Sequence, residues 1–225
     1  QSLSNLQPAA IFWDMDGTLI DTEPLWGMAT YELSELLGRR LSPEVRATTI
    51  GGSFDATLQI VADWAGYELK DGDTAKYHSW MTARMGSLLE DGVVLNPGLK
   101  GVLESLAERG TPMFVATNTE RVLADRCIKA IGPQYFVDTI TGDEVNNPKP
   151  APDIYLEAAL RCGADPGTCL VFEDSLNGMR AAAAAGCIVL GLADEVPDGV
   201  RRFDPTRFVG ATAQDVDHWF AEAVG

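Results

Sequence analysis

Three short apolar runs along this chain each end abruptly in a polar cluster. The first, Ala10 to Trp13, stops at Asp14 and Asp16, two carboxylates separated by one residue. The second, Met113 to Val115, runs into Ala116, Thr117 and Asn118; the third, Leu170 to Phe172, into Glu173 and Asp174. Runs of this kind read as strands buried on both faces, whose ends are where open α/β folds gather their chemistry. After Thr22 the period changes. Leu25, Met28, Ala29, Leu33, Leu36 and Leu37 recur at spacings of three and four, with Pro24 in the first turn and Gly38 past the end, which predicts a helix. Two more helices are predicted over Ser53 to Ala65 and Asp73 to Leu89, broken by Gly51-Gly52, Gly66 and Asp71-Gly72. Nothing between residues 22 and 92 reads as a convincing buried strand.

From Pro97 onward, helix and strand alternate. Helices are predicted at Leu99 to Glu108, Glu120 to Ile131, Asp153 to Arg161 and Ser175 to Ala185, with strands at Pro112 to Ala116, Phe136 to Ile140, Thr168 to Phe172 and Cys187 to Leu190. A last helix falls around Ala213 to Ala223. Alternation of this kind gives a parallel sheet covered by helices on both faces. The expected fold class is therefore α/β: a Rossmann-like parallel-sheet core formed by residues 1–20 and 93–225, with a small all-helical block, residues 21–92, inserted after the first strand.

Composition narrows the partners. Lys and Arg number 17 against 33 Asp and Glu, a formal charge of −16, and a field of that sign repels nucleic acid and anionic membranes. No segment approaches the roughly 20 apolar residues that span a bilayer, and the first ten residues lack a secretory pattern. Cytoplasmic location and a monomeric state are the default expectations. Cys127, Cys162, Cys169 and Cys187 form no close pair in sequence and read as small buried residues rather than a zinc or disulfide framework.

In a parallel sheet the polar strand ends share one edge. That edge would collect Asp14, Asp16, Thr117, Lys149, Glu173 and Asp174, where paired carboxylates need a cation, a shared proton or solvent to coexist. The set suits phosphoryl transfer, which asks mainly for positioning and charge stabilisation. Asp14-Met15-Asp16-Gly17-Thr18, then Thr117, Lys149 and Glu173-Asp174, in that order, resemble the four motifs of the haloacid dehalogenase superfamily. The stretches Asp21 to Trp26, Lys149 to Tyr155 and Phe172 to Gly178 extend the similarity toward its sugar-phosphate phosphatases and β-phosphoglucomutase, and the helical block resembles its small cap.

The resemblance implies that Asp14 is the nucleophile that becomes a transient aspartyl phosphate and that Asp16 is the acid/base. It implies Mg²⁺ held by the Asp14 and Asp174 carboxylates and the Asp16 main-chain carbonyl, with Glu173 supporting through water. Thr117 would bind a phosphate oxygen and Lys149 would neutralise charge. Two plainer readings stand beside these: Thr117 with Glu120 also spells a helix capping box, and Glu173 could be a solvated strand end. Gly17, Asn118, Glu23, Trp26 and Ser53 are the expected substrate-contacting positions, Gly17 also allowing the tight turn; Trp26 and Phe54 stack on a sugar, wall the site or belong to helix packing.

The substrate is expected to be a small phosphorylated metabolite. In β-phosphoglucomutase-like chains, a lysine and an arginine hold a second phosphate where this sequence has Ile50 and Phe54, and Trp26 stands in place of a histidine. Hydrolysis is therefore expected over intramolecular transfer, the mutase remaining the alternative. Asp16 argues against dehalogenation, which needs no second aspartate, and the length and inserted block argue against a phospho-receiver domain. His78 and His218 lie in predicted helices away from the motifs and are assigned no part.

Overall fold

A computed structural model of the chain describes residues 5–225. Its centre is β1, Ala10–Trp13, in which every residue is fully buried. Both edges of β1 are paired, to β2 (Met113–Thr117) on one side and β4 (Cys169–Glu173) on the other. This explains the unbroken apolar run: side chains that alternate between the faces are covered on both. Phe12 belongs to a cluster with Phe114 and Tyr155, whereas Trp13 stacks on Phe172 at 4.4 Å in the other, which also holds Phe203, Phe208 and Trp219.

The six strands are parallel in the order β3-β2-β1-β4-β5-β6, with β3 Asp138–Thr141, β5 Ile188–Gly191 and β6 Val200–Arg202. The chain winds outward to β3, then returns to the other side of β1. The direction therefore reverses between β1 and β4, the position where open α/β sheets leave a crevice beyond the strand ends. The helices following the strands run Leu99–Arg109 (α5), Arg121–Ile131 (α6), Asp153–Cys162 (α7), Leu176–Ala184 (α8) and Ala213–Val224 (α9).

Between β1 and α5 come α1 (Glu23–Leu36), α2 (Pro43–Ala47), α3 (Phe54–Ala65) and α4 (Asp73–Leu88). Ala29, Leu33, Leu58, Val61, Met81 and Met85 bury their faces against one another and join the Trp13 side of the core. Serine hydroxyls start two of these helices, Ser42 accepting from Val45 N–H and Ser53 from Ala56 N–H. Two elements had no sequence signal: α2 spans five residues, too short for a period, and β6 is an edge strand reading Val-Arg-Arg with both arginines exposed. The third strand begins two residues later than expected, because Phe136 closes a short 3-10 turn.

Cys127, Cys169 and Cys187 are buried and Cys162 is half-buried; all four are free thiols. Burial pushes Cys127, Cys169 and Cys187 up to about 12. Among the described residues no helix is long and apolar enough to cross a membrane.

Candidate active site

The register of β1 against β2 and β4 sets the site. Trp13 lies opposite Val115 and Phe172, so the next residues, Asp14, Ala116 and Glu173, reach the same edge together. Asp14 donates its N–H to Phe172 O at 3.1 Å, which fixes its backbone, and its side chain is buried. Its Oδ1 accepts from Lys149 Nζ at 3.0 Å and its Oδ2 from Thr18 Oγ1 at 3.1 Å.

Lys149 is saturated. Its three ammonium protons go to Asp14 Oδ1, Ala116 O at 2.7 Å and Glu173 Oε1 at 2.6 Å, and the side chain is 1% exposed. Burial works against its charge, but Asp14 and Glu173 outweigh that and hold its pKa above the ordinary lysine value. Asn118 positions it. Asn118 Oδ1 accepts the Lys149 N–H at 2.9 Å, while Nδ2 donates to Lys149 O at 3.0 Å and to Gly51 O at 2.8 Å. The Asn118 side chain thus joins two loops to the helical block, and Asn118 also lines the cavity over Asp14 and Asp16.

Glu173 is fully buried at the end of β4, which removes the reading as a solvated strand end. Its Oε1 accepts from Lys149 and from Tyr155 Oη at 2.5 Å, and its Oε2 has no partner. Burial, then Asp14, push its carboxyl up to about 8. The first turn of α8 passes so close that a Cβ on Gly178 would sit 2.0 Å from this carboxylate.

Asp16 is held from four directions. Its Oδ1 accepts from Thr22 Oγ1 at 2.5 Å and Trp26 Nε1 at 3.0 Å, its Oδ2 from Thr119 Oγ1 at 2.6 Å and, at the long distance of 3.5 Å, Thr117 Oγ1. Burial is the largest influence and raises its carboxyl despite these donors. Trp26 therefore touches the acid/base candidate directly, an option the sequence left unweighed. Thr117 does not cap a helix: α6 begins one residue past Glu120, and the Thr117 hydroxyl accepts from Thr119 N–H at 3.0 Å.

Carboxylate oxygens of Asp14, Glu173 and Asp174 lie within 4.8 Å of one another. Thr18 Oγ1 stands between Asp14 Oδ2 and Asp174 Oδ1, at 3.1 and 3.2 Å, with one proton for both. Burial and Asp14 raise Asp174 well above the usual carboxylate range. Repelling buried oxygens with too few donors, one of them unpartnered, fit a hard divalent cation. The turn at Gly17, φ +83°, brings the chain so near that a Cβ there would lie 2.0 Å from Asp174 Oδ2. Gly17 is thus required for close approach, and its expected substrate contact is not part of the cavity wall.

A cavity opens over Asp14 and Asp16, roofed by the helical block. Glu23 and Trp26 line it as expected, and burial followed by the charge of Asp16 pushes the Glu23 carboxyl up to about 7. Ser53 lies outside the wall, its hydroxyl committed to capping α3. Ile50 and Phe54 line the cavity without charge, yet the wall is not free of basic side chains: the Arg46 guanidinium lies in it, and so does the His78 imidazole. His78 corrects the sequence reading, for α4 brings it to the cavity, where Nε2 meets Glu120 Oε2 and Phe54 stands edge-on at 5.3 Å. His218, on α9, is not part of the wall. Tyr155, inside a quoted motif, could have been singled out from sequence; Arg46 and Thr119 carried no local signal.

Residues 8–186 match the family model described as haloacid dehalogenase-like hydrolase. A phosphorylated carbohydrates phosphatase of Thermotoga maritima is 31% identical over 84% of this chain and 88% of its own length. Hexitol phosphatase B of Escherichia coli is 31% identical over 79% of each. A β-phosphoglucomutase structure from Clostridium difficile superposes with a TM-score of 0.79 over 97% of both chains at 17% identity, a likeness of fold. The ordered motifs, the strand-end geometry and these similarities agree: the chain belongs to the haloacid dehalogenase-like hydrolases.

Proposed function

We propose that this chain is a Mg²⁺-dependent phosphatase that hydrolyses a small sugar or polyol phosphate through an aspartyl phosphate on Asp14. The observation that carries the reading is the unequal environment of the two aspartates. Asp14 has the Lys149 ammonium against its Oδ1 at 3.0 Å, a cation placed to offset charge at the attacking group. Asp16, with its raised carboxyl, is suited to carry a proton.

In the first step an Asp14 carboxylate oxygen forms a bond to phosphorus, the bond from phosphorus to the leaving oxygen breaks, and Asp16 donates its proton to that oxygen. In the second step Asp16 takes a proton from water as the water oxygen bonds to phosphorus. The acyl phosphate bond then breaks, and Asp14 is restored. Covalent catalysis splits one difficult displacement into two easier ones. Asp14, Asp174 and the Asp16 main-chain carbonyl would hold Mg²⁺, which supplies charge neutralisation on the phosphoryl group. Glu173 is bonded to Lys149 and Tyr155, so its part is to keep Lys149 in place as well as to support the metal through water. Thr117 and the N–H groups after it would receive a phosphate oxygen.

Residues 21–92 would act as the cap over a core of residues 1–20 and 93–225, closing water out during the first step. The partner is a small phosphorylated metabolite, and the acidic chain works as a cytoplasmic monomer without nucleic acid. One observation favours a second reading: Arg46 in the wall could hold a second phosphate, as a β-phosphoglucomutase-like phosphomutase needs. Its pairing with Glu23 favours hydrolysis. Phosphate release from a panel of phosphometabolites with and without Mg²⁺, including β-glucose 1-phosphate with a bisphosphate activator, tests both. Release that requires Mg²⁺ is expected. Isomerisation faster than release would establish the mutase.

A further inference from the structure

Two acid–base pairs stand in the cavity wall without any part in the steps above. Arg46 Nη2 lies 3.4 Å from Glu23 Oε2, while Nη1 donates to Thr49 Oγ1 at 2.9 Å. The Arg46 side chain is 10% exposed. His78 Nε2 meets Glu120 Oε2 where α4 approaches the start of α6. Arg46 and His78 are the basic side chains of the wall among the described residues, and each has a carboxylate against it. Lys149 is saturated below.

A second phosphate or a carboxylate on the substrate would meet no unmatched cation here and would be set against Glu23 and Glu120 at close range. Like charges juxtaposed in a partly desolvated site are a strong means of rejection. A hydroxyl meets the opposite situation. It donates and accepts at once, and a carboxylate beside a guanidinium or imidazole offers acceptor and donor side by side. Sites built to bond a hydroxyl also discriminate against analogues that lack it, because their own polar groups are left unpaired.

We propose that the Glu23–Arg46 and Glu120–His78 pairs set specificity, accepting phosphomonoesters whose remainder is neutral and hydroxyl-bearing and rejecting those with a second anionic group. The proposal rests on the phosphatase reading and adds to it the side chains that read the leaving group.

The test is run with Mg²⁺ at pH 8. Values of kcat/KM are compared for a hexitol phosphate, its deoxy analogues, phosphoglycolate, a hexose bisphosphate and p-nitrophenyl phosphate. The hexitol phosphate is expected to exceed phosphoglycolate and the bisphosphate by roughly tenfold or more, about 1.4 kcal/mol per decade. Glu23→Gln, which frees the Arg46 guanidinium, and Glu120→Gln, which removes the anion beside His78, should each move the phosphoglycolate-to-hexitol ratio several-fold toward the anionic substrate. A loss that is purely structural lowers all substrates together and leaves that ratio fixed. Competition by phosphoglycolate and the bisphosphate against the hexitol phosphate in the unaltered protein reads the same preference without any variant. Equal or tighter binding of the anionic compounds, or ratios unmoved in both variants, overturns the proposal. Release from p-nitrophenyl phosphate without the preference overturns this inference alone, whereas absence of release from every compound removes the phosphatase reading and this inference with it.

Discussion

The two sides of the cavity are built on different principles. Below, at the strand ends, Lys149 and Glu173 are 1% and 0% exposed and every proton of the ammonium is engaged. Above, where the helical block meets the start of α6, the His78 and Glu120 side chains are 39% and 34% exposed and joined by a single contact. Charges held in a buried network act through a low effective dielectric and cannot be altered singly without leaving a partner unsatisfied. Pairs exposed by a third are screened and weak, so they can be exchanged without unfolding the chain. Chemistry therefore sits where the protein is least tolerant of change, whereas the His78–Glu120 pair, assigned to selection of the leaving group, stands where it is more tolerant.

The sharpest way to break this comparison is at its lower side. Asp14→Asn should reduce phosphate release by roughly 10⁴-fold or more, the scale on which loss of a covalent nucleophile acts, while the circular dichroism spectrum and melting temperature show a folded protein. Residual release within tenfold of the unaltered protein would remove Asp14 as nucleophile. Lys149→Met comes next and acts on stability as well. It leaves Asp14 and Glu173 buried without their cation, a change that costs about 3–5 kcal/mol when one partner of a buried pair is removed. Urea unfolding measures it, and a cost under 1 kcal/mol would show that the lower side is less tightly coupled than its geometry implies.

What could be read from the sequence follows the same division. The lower side was legible because its residues are neighbours in the chain: Asp14 and Asp16 follow one buried strand, Glu173 and Asp174 another, and parallel pairing brings both ends to one edge. Lys149 and Thr117 needed only the order of the motifs. Beyond Glu23, Trp26 and Phe54 the upper side was not legible, because which face of a helix meets the cavity is settled by packing. His78 follows Tyr77 in sequence, and only the burial of Tyr77, Met81 and Met85 turns it toward Glu120. Ile50 and Phe54 stand, as expected, where cations were missing, but a cation came from Arg46 on α2, a helix too short to be seen.

Proton linkage sharpens the comparison with a smaller effect. The Glu173 carboxyl stands at about 8 in the folded chain against an ordinary value of 4.5. Between those values the folded state holds more protons than the unfolded one, so stability of the metal-free protein falls as pH rises through that window. Asp16 and Asp174, raised in the same direction, add to the slope. Mg²⁺ binding to the folded state alone should restore about 2.7 kcal/mol at a hundredfold excess over its Kd. Because protons compete for Asp174, the gain in melting temperature should be greater at pH 8 than at pH 5. A gain equal at the two pH values would show that the carboxylate cluster does not hold the ion.

The smallest effect belongs to the upper side, at an expected substrate contact that lies outside the cavity wall. Ser53 was expected to touch substrate, yet its hydroxyl accepts from Ala56 N–H at 3.2 Å and starts α3. Ser53→Ala should therefore cost about 1 kcal/mol of stability, the usual loss for an N-cap, and leave KM and kcat for the preferred substrate unchanged. Ser53→Asp keeps an acceptor for the same N–H and adds a charge favourable at a helix N-terminus, so it should recover the lost stability in urea unfolding. A serine that reached the substrate would behave in the reverse way. Alanine would then raise KM with little loss of stability, and the aspartate would restore stability while worsening KM by repelling the phosphate.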